Sequence, residues 1–215
     1  MMKLYGYWRS SASYRVRLAL GLKGIEVEHI AVNLKAGEQL GDAHTALNPQ
    51  RLVPVLELAD GTKLTQSLAI LDYLEETFTD PALLPQDPVL RAKTRAAALV
   101  IAADIAPIQN LRVLKYIRAE HGQDDAGVKT WAAHWISEGF GALETLAAAS
   151  ESPFLHRDEP GYFECFLIPQ IYNAVRFGVD MDLFPGLQTI DAALRDHPVF
   201  IAAAPENQPD APNPE

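Results

Sequence analysis

Apolar and polar positions change rhythm twice along this chain. Up to about residue 80, short runs at Lys3–Tyr7, Val27–Val32, Val55–Leu58 and Lys63–Leu64 have the length and β-rich character of strands. A helical pattern from about Ser13 to Lys23 separates the first two. Asp60-Gly61 separates the last two and suits the positive φ of a tight hairpin turn. After Ser67, the positions Leu68, Leu71, Tyr73 and Leu74 approximate a helical stripe. The order β-α-β then β-β-α predicts a small α/β layer whose first crossover makes two strands parallel. From Thr79 to Pro88 the chain reads TDPALLPQDP, a linker composition. Beyond it, Pro88–Glu120, Asp124–Ala149, Gly161–Gly178 and Leu187–Ala204 carry apolar residues at helical spacing. We therefore expect an α/β domain over residues 1–80 and an all-helical domain over 88–205. The end, PENQPDAPNPE, has four prolines and three acids without a base, so residues 206–215 are expected to be a disordered tail.

Composition narrows the function. The chain has 215 residues, 48% of them apolar, and a net charge of −10. That leaves no basic excess for displacing counterions from a phosphate backbone, so no nucleic-acid partner is expected. Cys165 is the single cysteine, which excludes an intrachain disulfide and a zinc site built on several thiolates, and fits a reducing, cytoplasmic setting. Arg9, Arg15 and Arg17 interrupt the N-terminal stretch before any leader-like apolar run. The longest apolar run, Ala96–Ala103, is too short to span a bilayer, so no membrane is expected. The six histidines lack metal-ligand spacing, and no metal is expected. Neither a glycine-rich nucleotide loop nor a serine-hydrolase elbow is present.

What remains is a set of polar residues at strand–helix junctions. Arg9-Ser10-Ser11-Ala12-Ser13 lies where a strand gives way to a helix. Its hydroxyls and the first helical N–H groups can face an anion, although one serine is also a good N-cap. Gln66-Ser67 opens the next helix, where Ser67 reads as a cap or as a carboxylate receptor. Val53-Pro54 opens a strand. If that bond is cis, the N–H and C=O of Val53 are turned outward for a peptide-like ligand. Pro107 is expected to kink the first long helix beside Gln109, and Arg176 lies near the end of a later one.

These segments, YWRSSASYRVRLAL, LNPQRLVPVLELADGTKLTQSLAILDYLEE, DIAPIQNLRVLKYI and LIPQIYNAVRFGVDMDLFP, resemble the zeta class of glutathione transferases, the family of maleylacetoacetate isomerase and maleylpyruvate isomerase. The resemblance runs from about Lys3 to Pro205. It implies a thioredoxin-like N-terminal domain, an all-α C-terminal domain, glutathione as cofactor and a homodimer. It further implies cis–trans isomerisation of a small anionic diacid from tyrosine and phenylalanine breakdown, by reversible thiolate addition to the alkene. General transfer of glutathione to electrophiles, or a non-catalytic binding module, are the alternatives. Residue by residue, it places Ser10 and Ser11 beside the glutathione sulfur and Gln66 and Ser67 at its γ-glutamyl end. Val53 before Pro54 becomes the backbone clamp, Gln39 lies near the glycyl end, and Gln109 reaches the tripeptide. Arg9 and Arg176 then face the substrate's carboxylates, a local cationic spot on an anionic chain. Two departures stand out. Ala12 replaces a cysteine frequent in the family, and Gly161-Tyr162-Phe163-Glu164 replaces a Ser/Thr-led capping box, with an expected local cost of about 0.5–2 kcal/mol.

Overall fold

A computed structural model describes residues 1–212; residues 213–215, the end of the expected tail, lie outside the described part. The chain divides into two compact units. One joins Met1–Leu83 to the segment from Asp196 onward, and the other is Leu84–Arg195.

The first unit contains β1 (Met2–Gly6), α1 (Ser11–Leu22), β2 (Val27–Ala31), α2 (Asp42–Leu47), β3 (Val55–Glu57), β4 (Lys63–Thr65) and α3 (Ser67–Thr77). The sheet order is β2-β1-β3-β4. The crossover through α1 makes β1 and β2 parallel, while β3 runs antiparallel to both β1 and β4. The predicted turn closes the β3–β4 hairpin: Gly61 has φ 87°, and the Asp60 carboxylate accepts from the Thr62 N–H at 2.9 Å. Leu4, Val16, Leu18, Val55, Leu56, Ile70, Leu71 and Leu74 form the core between sheet and helices. The six-residue α2 carries too few turns to register as a period in the sequence.

Charge is also buried here. Glu75, on α3, lies 2.8 Å from the Lys23 ammonium, both side chains being almost fully enclosed. Lys23 also donates to the carbonyls of Phe78 and Pro81, and Glu75 accepts from the Leu83 N–H, so each buried charge is matched by hydrogen bonds.

The C-terminal boundary differs from the expected one. The pattern over Leu187–Ala204 splits into α9 (Pro185–Leu194) and α10 (Pro198–Ala203), and α10 belongs to the first unit, packed on α1. Gly21 makes that approach possible, because a Cβ there would meet a Val199 methyl at 2.6 Å. The segment after α10 is not a frayed tail over its described length. A helical turn at Pro205–Asn207 continues into a turn closed by the Ala211 N–H on the Gln208 carbonyl at 3.0 Å.

The second unit is helical: α4 (Pro88–Leu99), α5 (Ala106–Ile108), α6 (Leu111–Glu120), α7 (Asp125–Ala148), α8 (Tyr162–Phe177) and α9. The stretch expected as one kinked helix is divided. A π turn at Val100–Ile105 precedes Pro107, which has no N–H to donate, and Asn110 caps a fresh helix by accepting from the Arg112 N–H at 3.1 Å. By length and composition Pro88–Glu120 is apolar enough to cross a membrane, which the short Ala96–Ala103 run did not reveal. Within the unit it buries Thr94, Ala97, Ala98, Ile101 and Ile105. The start of α8 keeps half of the reciprocal cap thought lost with Gly161. Glu164 accepts from the N–H groups of Gly161 at 2.8 Å and Leu155 at 3.2 Å.

Candidate active site

The sheet register brings three of the junctions together. Tyr5 pairs with Val55, and Val55 with Thr65. The exit of β1, the entry to β3 and the exit of β4 therefore lie at one end of the sheet. They carry the Arg9–Ser13 turn, the Val53-Pro54 pair and Gln66-Ser67.

In the serine turn the roles separate. Ser10 is the N-cap of α1, its Oγ accepting from the Ser13 N–H at 3.2 Å. The Ser13 hydroxyl is buried and accepts from the Tyr7 N–H at 3.5 Å. Ser11, half-buried at the first helical position, has no hydrogen-bond partner for its hydroxyl among the described residues. Its hydroxyl, with the unbonded N–H groups of Ser11 and Ala12, stands at the positive end of α1. Arg9 packs its guanidinium 5.3 Å from the Trp8 ring centre.

Ser67 is not the cap expected for α3. Gln66 holds that position with φ 67°, a left-handed conformation costly for a residue with a side chain and frequent at functional sites. Its amide donates to Gln50 Oε1 at 2.7 Å. The Ser67 Oγ instead accepts from Arg15 Nη1 at 3.2 Å, inside the unit. An oxygen that accepts from a guanidinium keeps its own proton for an outside acceptor. Burial lowers the Arg15 pKa to about 10, so the group remains a cation at neutral pH beneath the start of α3.

The Val53–Pro54 bond is cis, and the N–H and C=O of Val53 have no partner among the described residues. The preceding loop is pinned at the Leu52 carbonyl, which accepts from Asn48 Nδ2 and lies 2.9 Å from His44 Nε2. Gln39 is buried, and its side-chain oxygen has no partner among the described residues. Two further candidates lie in the second unit. Gln109 closes the α5 turn and donates to Gln170 Oε1 at 2.6 Å, and the buried Gln109 Oε1 and Gln170 Nε2 have no partner among the described residues. Arg176 is exposed in the last turn of α8, its guanidinium 4.3 Å from the Phe177 ring centre. Sequence reasoning missed Arg15, His44 and Asn48. Only Arg15 leaves a signal, a cation within the apolar run YRVRLALGL.

Residues 1–76 match the family described as glutathione S-transferase, N-terminal domain, and the mixed sheet with its serine turn and cis-proline defines the chain as a glutathione transferase. A maleylacetoacetate isomerase from Pseudomonas aeruginosa is 43% identical, covering 98% of this chain and 99% of that one. The holo structure of a bacterial zeta-class maleyl pyruvate isomerase is 44% identical with a TM-score of 0.95, covering 98% of this chain and 100% of that one. A maleylacetoacetate isomerase from Anaeromyxobacter dehalogenans, with dicarboxyethyl glutathione and citrate bound in its active site, is 43% identical with a TM-score of 0.89, covering 100% and 95%. The chain belongs to the zeta-class glutathione transferase family of maleylacetoacetate and maleylpyruvate isomerases.

Proposed function

We propose that this protein is a glutathione-dependent cis–trans isomerase acting on maleylacetoacetate or maleylpyruvate. The observation that carries the reading is the Ser11 hydroxyl at the start of α1, without a partner among the described residues, at the end of the sheet that also carries Val53 and Ser67. The groups left over by the fold suit a γ-glutamyl tripeptide. Val53 offers a backbone N–H and C=O, Ser67 a hydroxyl proton for a carboxylate, and Gln39 a buried acceptor. The relative that holds dicarboxyethyl glutathione and citrate supports a substrate bearing two carboxylates.

When bound, glutathione supplies a thiol that adds reversibly across the cis double bond, making it single and free to rotate. The protein's part is to favour the ionised sulfur. A cysteine-type thiol with a pKa of about 8.5 is only a few per cent thiolate at pH 7, and lowering it by about two units takes roughly 2.7 kcal/mol. The Ser11 hydroxyl and the N-terminus of α1 supply that stabilisation, while Ser10 holds the start of α1 as its cap. Gln66 and Ser67 hold the γ-glutamyl end over the Arg15 cation. On the resemblance, Gln109 serves the tripeptide, and Arg9 and Arg176 each offer a planar fork to a substrate carboxylate. Cys165 is fully buried in α8, so the chain's own thiol takes no part. A homodimer belongs to the same reading through the family, and a cytoplasmic location fits a chain with one cysteine.

The test is turnover of each cis diacid with and without glutathione. Trans product formed under catalytic glutathione that is not consumed supports the isomerase. Stoichiometric consumption identifies a conjugating transferase, and inactivity on both diacids identifies a binding module.

A further inference from the structure

The peptide that leads from β1 into the serine turn is gripped on both sides by groups remote in sequence. The Trp8 N–H donates to Asp210 Oδ2 at 2.9 Å, and the Trp8 carbonyl accepts from Arg17 Nη2 at 3.0 Å. Arg17 also donates through Nε to the Ala203 carbonyl at the end of α10, at 3.0 Å. Two residues beyond Trp8, the Ser10 N–H returns to the Tyr7 carbonyl at 2.9 Å, and the Ser10 hydroxyl then caps α1.

The segment that carries Asp210 is tied down in its own right. Gln208 donates to the carbonyls of Ala202 and Ala204, both at 2.9 Å, and Asn207 donates to that of Ile201 at 2.8 Å. Pro205, Pro209 and Pro212, which read as disorder in the sequence, restrict the unfolded segment and so lower the entropy lost on ordering it. Arg17 and His29 line the same small cavity as Asp210. Burial and the Arg17 charge hold His29 below the usual histidine range, while Arg17, lowered to about 10 by burial, stays charged. Among the described residues, Asp210 thus shares its cavity with the buried Arg17 cation and accepts from the Trp8 N–H.

We propose that Asp210 is a positioning residue of the active site: by holding the Trp8 N–H against the pull of Arg17 on the Trp8 carbonyl, it sets the backbone that presents Arg9, Ser10 and Ser11. The C-terminal segment is then a working part of the site. This rests on the reading of the serine turn as the thiol site.

Asp210→Ala removes the acceptor, and Asp210→Asn keeps an oxygen that can accept the same N–H. Turnover of the cis diacid is measured against pH, and the thiolate absorbance of bound glutathione is titrated in parallel. We expect Asp210→Ala to turn over about five- to tenfold more slowly at neutral pH, with the thiol ionising at higher pH, and Asp210→Asn to stay within about twofold of the parent. An unmoved ionisation in Asp210→Ala, even with fewer folded molecules, overturns the proposal, because a merely structural role lowers amplitude without shifting a pKa. So does an Asn variant as impaired as the Ala variant. The paired Ser10→Ala, Ser11→Ala protein separates the two readings. If it also leaves the thiol ionisation unmoved, the serine reading fails; if only Asp210→Ala does, the serine reading stands and the role of Asp210 falls.

Discussion

Ser10 and Ser11 are neighbours of identical chemistry, and the structure predicts that removing them has different consequences. Ser10 Oγ caps α1 through the Ser13 N–H, whereas the Ser11 hydroxyl has no partner among the described residues. Ser10→Ala should therefore cost about 1 kcal/mol of stability, as cap losses do, which lowers Tm by roughly 2–4 °C in a chain of this size. Ser11→Ala should stay within about 0.5 kcal/mol of the parent. Activity should separate them the other way. A hydrogen bond to an ionised acceptor is worth about 1.5–3 kcal/mol, or about one to two pKa units on the glutathione sulfur. If Ser11→Ala moves that thiol from about 6.5 to about 8, the ionised fraction at pH 7 falls from about three quarters to about a tenth. Turnover should drop roughly eightfold at pH 7 and recover towards the parent near pH 9. The assay is isomerisation at saturating glutathione from pH 6 to 9, paired with thermal melts. A Ser11→Ala protein with the parental pH limb, or with the Tm loss expected of Ser10→Ala, would refute this division of roles.

Three further outcomes are expected. Ser67→Ala should raise KM for glutathione about tenfold with kcat nearly unchanged, since its hydroxyl serves binding; a fall in kcat alone contradicts that role. Arg176→Ala should raise KM for the diacid and spare conjugation of a neutral electrophile, and equal losses on both would indicate misfolding instead. Glu164→Ala strands the N–H groups of Gly161 and Leu155 and should cost about 2–5 kcal/mol in denaturant melts. Burial raises the Glu164 pKa from 4.5, so the folded state holds that proton to higher pH than the unfolded chain does. Its contribution to stability therefore declines as pH rises above about 4.5, and Glu164→Gln should flatten that slope.

The sequence by itself determined the family and the succession of the main elements, apart from α2 and the breaks that divide two of the expected helices. Both are written in local patterns: alternating short runs, the Asp60-Gly61 turn, the serine-rich junction and the change to helical spacing after the linker. It also named Ser10, Ser11, Val53, Gln66 and Ser67, because junction residues advertise themselves by type. It could not say which serine is committed to capping, since that depends on a distance of a few ångströms between a hydroxyl and an N–H. Nor could it place Ser67 and Glu75 inside the fold, for the same reason. Arg15 and Lys23, which give those two side chains their environment, lie 52 residues from each. Residues 205–212 are the extreme case. Their composition looks unfoldable when counted alone, and only the fold brings Asp210 to the Trp8 N–H and the Asn207 and Gln208 amides to the carbonyls of Ile201, Ala202 and Ala204. Propensity is a property of neighbours in the chain, whereas the partner of a buried polar group is chosen by the fold.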